Sequence, residues 1–113
     1  MPAPPLPVYG GSTLDNYEVL LSPRALRDLD AIYAYIADVL LEPTIADSLL
    51  NELESRILSL EQMPYRCPMR RIRAYANRAY RQLLIKNYTA IYRVDEEKKQ
   101  VVIITVRYSR SNL

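Results

Sequence analysis

Apolar and polar positions alternate with two different periods along the chain, and the change between them divides it into three stretches. Tyr17-Glu-Val-Leu-Leu21 alternates weakly and is rich in β-prone residues, which predicts a first strand. Ser22-Pro23 then has the chemistry of a helix start. A serine side chain can accept from the first unpaired amides, and proline at the first helical position gives up an N–H that would have no intrahelical partner. Leu26, Leu29, Tyr33, Ile36 and Leu40 follow at spacings of three and four, with Ile32 beside them, predicting an amphipathic helix of four or five turns that Pro43 ends. Tyr33 lies on that stripe and is expected in the core. Thr44 with Asp47 three residues on resembles a capping box. Ile45, Leu49, Leu53, Ile57 and Leu60, flanked by Ala46 and Leu50, form a second stripe that Met63-Pro64 closes. The short proline-containing link between the two helices predicts an antiparallel helical hairpin.

After Pro68 the period falls to two. Tyr80–Lys86, Tyr88–Val94 and Val101–Tyr108 are predicted strands, the last two joined by the polar stretch Asp95–Gln100. Tyr88 and Tyr92 alternate with Thr89, Ile91 and Arg93, so one set is expected to face the helices and the other the open side. The order β-α-α-β-β-β describes an α+β domain: a helical hairpin on a small, mostly antiparallel sheet. Residues 17–113 make one domain, and residues 1–16, with four of the eight prolines and both glycines, form an irregular arm. That arm lacks a basic start and a long apolar run, so it does not resemble a signal peptide, and no stretch is long and apolar enough for a membrane span. The expected compartment is the cytoplasm.

Composition narrows the chemistry. The chain has one cysteine and no histidine, which argues against a disulfide framework and a zinc site and removes the commonest general base. No cofactor or metal is expected. A net charge of +2 hides a strong asymmetry. Residues 22–62 carry −5 and residues 63–113 carry +9. Between Pro64 and Val94 stand Arg66, Arg70, Arg71, Arg73, Arg78, Arg81, Lys86 and Arg93 with no acid, interleaved with five tyrosines. Arginine makes bidentate contacts to phosphate and carboxylate, and tyrosine offers a stacking face, a combination suited to nucleic acid or to an acidic protein segment. Any single arginine of the run has a plainer reading as a solvated charge or a partner of the acidic helices. Tyr108, beside Arg107 and Arg110 at the end of the last strand, is the tyrosine placed best for a site.

Leu29-x-x-Ile32-x-x-Tyr35-Ile36, the run Leu60-Glu-Gln-Met-Pro-Tyr-Arg66, Tyr80-Arg-x-Leu followed by Tyr88-x-x-Ile91-Tyr92-x-Val94, and Val101-x-Ile103-x-x-Val106-x-Tyr108-x-Arg110 occur in the order and spacing of one family. Over residues 17–113 the chain resembles the RelE/ParE toxins of bacterial type II toxin–antitoxin modules. The resemblance implies growth inhibition by the free protein, neutralisation by a cognate antitoxin, plasmid stabilisation, and repression of operator DNA by the toxin–antitoxin complex. It also implies one of two targets. RelE-like members are metal-independent endoribonucleases that cut messenger RNA on the ribosome with bases on the sheet and near its C-terminal end. Arg81, Lys86, Tyr108 and Arg110 would be the catalytic set here, with Arg66, Arg70, Arg71, Arg73, Arg78, Arg93 and Arg107 binding nucleic acid or a partner. Against that branch, Leu83 and Thr89 stand where the nucleases carry bases, and the chain stops at Leu113, before their C-terminal tyrosine. ParE-like members instead inhibit DNA gyrase, and the long hairpin closed by Met63-Pro64 resembles that branch more.

Overall fold

The computed structural model describes residues 16–69 and 79–109. Strand β1 (Glu18–Leu21) leads into helix α1 (Pro23–Ala34), which ends in a π-helical turn at Tyr35–Val39. Helix α2 (Pro43–Leu58) returns antiparallel and is followed by two 3₁₀ turns, Ser59–Glu61 and Pro64–Arg66. Strands β2 (Arg81–Ile85), β3 (Tyr88–Asp95) and β4 (Gln100–Tyr108) complete a four-stranded sheet in the order β1-β4-β3-β2. β1 runs parallel to β4, and the other pairs are antiparallel. The β-α-α-β-β-β order and the mostly antiparallel sheet match the sequence reading.

Ser22 caps α1 as expected. Its Oγ accepts from the Ala25 N–H at 3.0 Å and donates to the Ile104 carbonyl at 2.8 Å, tying the helix start to β4. The buried stripe of α1 is rotated from the expected one. Ala25, Leu29 and Ile36 are buried, whereas Leu26, Tyr33 and Leu40 are exposed. Ala25 carries no side chain beyond Cβ, so α1 can lie close against β4, and that approach turns Leu26 and Tyr33 outward. Tyr33 sits beside Asp47 on α2, whose carboxylate pushes the phenol pKa upward, and it is not a core residue. Thr44 is not a cap: α2 starts at Pro43, with Glu42 in the capping position and no side-chain bond there. Ala46, Leu53, Ile57 and Leu60 are buried as expected, but Ile45 faces out.

Among the described residues, five that are not glycine sit at positive φ, namely Leu41 (58°), Met63 (53°), Ala79 (59°), Lys86 (54°) and Lys99 (52°). Each occupies a position where glycine costs least, and a residue with a Cβ is held there at about 1 kcal/mol or more. Leu41 closes the helix in the geometry usually given to glycine. The Leu40 N–H reaches the Tyr35 carbonyl at 3.0 Å and the Glu42 N–H reaches Ile36 at 2.9 Å.

The core gathers Leu29, Leu53, Ile57 and Leu60 from the hairpin against Leu83, Ile85, Ala90, Tyr92, Val101, Ile103 and Val106 of the sheet. Pairing slips between Ile91 and Tyr92, whose partners are Thr105 and Ile103, so Ile104 is an inserted residue and Thr105 changes face. The second face of β3 is not open: Ile91 and Thr89 are both buried.

Candidate functional site

Two side-chain groups occupy opposite ends of β2 and β3. The first forms around Glu96, in the turn between β3 and β4. One carboxylate oxygen accepts from the Tyr17 hydroxyl at 2.9 Å and the Tyr65 hydroxyl at 2.8 Å, while Lys99 pairs with the other. Hydrogen bonding from Lys99, then from Tyr65 and Tyr17, holds the Glu96 carboxyl down at about 2. Burial and then the same carboxylate push both phenols upward. The rings meet edge to face at 6.5 Å, Lys99 Nζ lies 5.0 Å from the Tyr17 centroid, and the Arg81 guanidinium lies 5.0 Å from that of Tyr65.

Arg81 is anchored in this group. Its Nη1 donates to the Cys67 carbonyl at 2.6 Å and the Tyr65 carbonyl at 3.2 Å. Arg66 is committed in the same way at the end of α2. Its Nη1 bonds the carbonyl of Gln62 at 2.8 Å and that of Ser59 at 3.3 Å, and its Nη2 bonds Ser59 Oγ at 2.8 Å. Tyr92 is fully buried and donates to the Pro64 carbonyl at 2.5 Å, and burial followed by the neighbouring Cys67 drives its phenol pKa up. Both arginines therefore satisfy carbonyls of an irregular segment that has few backbone donors of its own.

The second group lies at the β2–β3 turn. Tyr88 pairs with Ile85 on one side and with Tyr108 on the other. The Tyr88 and Tyr108 rings meet edge to face at 5.6 Å. Burial raises the Tyr88 phenol pKa, with further contributions from Tyr108 and from Tyr35 at the end of α1. Lys86 and Asn87 form the adjoining turn, the Ser109 N–H binds the Asn87 carbonyl at 2.7 Å, and Tyr108 is 61 % exposed. Lys86 and Tyr108 thus lie at the same end of the sheet.

Arg81 stands at the other end of β2, four residues from Ile85, or ~13 Å along the strand at about 3.3 Å per residue. Arg93 is half-buried on the face of β3 away from the core, and Arg107 is exposed. Arg70, Arg71, Arg73, Arg78 and Arg110 lie outside the described residues. The Tyr35–Tyr88–Tyr108 convergence and the Glu96 group were not legible in the sequence, since each joins residues more than fifty positions apart.

A family model described as the ParE toxin of the type II toxin–antitoxin system parDE matches residues 19–113. The chain belongs to the ParE toxin family. Solved structures agree on the fold. A chromosomal ParDE toxin–antitoxin system from P. aeruginosa superposes with a TM-score of 0.70 at 22 % identity, over 83 % of this chain and 97 % of that one. The RelBE2 toxin–antitoxin complex of Mycobacterium tuberculosis gives 0.59 at 24 % identity, over 85 % and 94 %. The archaeal RelE–RelB complex of Pyrococcus horikoshii gives 0.59 at 13 % identity, over 87 % and 99 %. No curated protein matches the chain. This toxin thus carries the two helices and four-stranded mixed sheet shared by ParE and RelE structures, and none of its described helices is long and apolar enough to cross a membrane.

Proposed function

We propose that this ParE-family toxin arrests growth in the cytoplasm by binding a protein target, DNA gyrase, rather than by cutting messenger RNA, and that a cognate antitoxin neutralises it and carries it to operator DNA. The observation that carries the choice is the position of Arg81. Transphosphorylation of RNA without a metal needs a base near the 2′-hydroxyl and cations on the phosphate, within a few ångströms of one another. Arg81 is instead bonded to the carbonyls of Tyr65 and Cys67, about four residues of strand away from Lys86 and Tyr108. Its loss should loosen the 65–67 segment without removing a reacting group. The partner structures of the fold relatives support an antitoxin for this chain as well.

The test is induction of the toxin in a bacterium, with growth followed and messenger RNA 5′ ends mapped, beside a supercoiling assay with purified gyrase. Growth arrest with intact messages and lost supercoiling is expected. New 5′ ends inside translated codons, abolished by Lys86→Ala or Arg110→Ala, would replace this reading with ribosome-dependent RNA cleavage.

A further inference from the structure

The turn between the helices is built against the usual preferences of a surface. Val39, Leu40 and Leu41 are consecutive and 65 %, 49 % and 75 % exposed, and Ile45, one turn into α2, is 54 % exposed. The sequence pattern assigns Leu40 and Ile45 to the core stripes, yet the π-helical turn and the left-handed Leu41 rotate them out. A glycine at position 41 would make the same turn with less strain and no exposed apolar side chain. Strain retained together with three adjacent exposed aliphatic residues marks a contact surface. The surroundings carry one sign of charge. From residue 28 to residue 55 there are seven acids and no base, among them Asp38, Glu42 and Asp47 around the tip.

From this we infer that the hairpin tip is the surface with which the toxin grips its protein target, and that the matching surface is an apolar recess bordered by Lys or Arg. This rests on the reading above that the free toxin acts on a protein. Charge complementarity selects the occupant: an acidic rim repels an acidic partner and favours a cationic one, while the aliphatic tip supplies the water-excluded centre such contacts need.

Leu41→Gly is the informative variant, because it removes the side chain while easing the turn, so its Tm is expected at or above that of wild type and, with that Tm measured, loss of function separates from unfolding. Val39→Asp serves as an independent second variant and Glu42→Lys as a charge reversal. Each is compared with wild type for growth arrest, for gyrase inhibition, for retention by the antitoxin in co-purification, and for mass by light scattering. The expected result is a concentration for half inhibition raised about tenfold or more, with arrest lost, antitoxin retention unchanged and mass unchanged.

Variants as toxic as wild type would overturn the inference. So would loss of antitoxin retention, which would make the tip the antitoxin's seat, or a wild-type dimer that the variants dissociate, which would make it a self-contact. Stronger inhibition by Glu42→Lys would overturn the cationic partner. A wild type that arrests growth but leaves gyrase untouched would sink the choice of target alone, since growth arrest still reports on the tip. A wild type without toxicity would end both readings.

Discussion

Asp28 offers the sharpest test of how the hairpin is held to the sheet. β1 ends at Leu21 opposite Ile103, so among the described residues no strand lies beside the outer edge of β4 beyond that point. Asp28 takes that place: one carboxylate oxygen accepts from the Val106 N–H at 3.0 Å and from the Thr105 hydroxyl. Thr105 is completely buried, and its oxygen in turn accepts from Arg24 Nε at 3.2 Å. Asp28→Ala would therefore orphan two donors. At about 1–3 kcal/mol for each buried unsatisfied group, and with some water able to enter, the expected loss is about 3 kcal/mol. For a chain of this size that lowers the Tm by about 10–15 °C.

The Arg24–Asp28 ion pair explains little of that figure. It spans 3.9 Å with Arg24 54 % exposed, so Arg24→Ala should cost about 0.5 kcal/mol. Thr105→Val in the Asp28→Ala background removes one orphaned donor with its hydroxyl. The double variant should be more stable than Asp28→Ala by about 1 kcal/mol. Urea unfolding of wild type, Arg24→Ala, Asp28→Ala, Thr105→Val and the double variant measures all of this. An Asp28→Ala loss below about 0.5 kcal/mol, or a double variant that simply adds the single costs, would refute the account.

Four further outcomes follow from the same contacts. Glu96 titrates from its ordinary 4.5 down to about 2 in the folded protein, so its stabilising effect is present above pH 4.5 and fades as pH falls toward 2. Thermal melts of Glu96→Gln should show a flatter pH dependence in that window, and an unchanged acid limb would contradict the Lys99, Tyr65 and Tyr17 bonds. Tyr92→Phe leaves the Pro64 carbonyl without its donor and should cost about 1–2 kcal/mol in urea unfolding, with no loss meaning that the bond contributes nothing. Leu41→Gly should raise stability by about 0.5–1 kcal/mol, and a lower Tm would show the left-handed turn to be unstrained. Arg81→Ala should lower the Tm, whereas Lys86→Ala should leave it within about 2 °C, because only Arg81 bonds the 65–67 carbonyls.

Local chemistry was readable where it alone decides the structure. Ser22-Pro23 marks a helix start whatever surrounds it, and period-two runs of tyrosine, valine and isoleucine gave three strands with ends within one residue of those observed. The phase of α1 was not readable. Leu26 outweighs Ala25 in any apolar pattern, but a helix pressed against a strand rewards the smaller side chain, and Ala25 is the residue buried. The π-helical turn added a second displacement by advancing the chain past its 3.6-residue repeat just before Leu40. The inserted Ile104 did the same in β4, carrying Thr105 to the face where Asp28 waits 77 residues away in sequence.

The basic run shows how far residue type can be carried towards function. Arginine after arginine beyond Pro64 describes a surface able to hold phosphate, and that capacity belongs to the side chains. Its use is set by what else lacks a partner nearby. The segment after α2 turns through two 3₁₀ turns and a left-handed Met63, geometry that leaves carbonyls outside any helix or sheet ladder. Arg66 and Arg81 bond carbonyls of residues 59–67. A carbonyl in a fixed position is available in every folded molecule, whereas a phosphate must be bound from solution, so these two arginines are committed before any ligand arrives. Among the described residues, Lys86, Arg93 and Arg107 are then the cations of the β-sheet to weigh against a nucleic-acid partner, and the acidic hairpin becomes the stronger candidate for the toxin's grip on a protein.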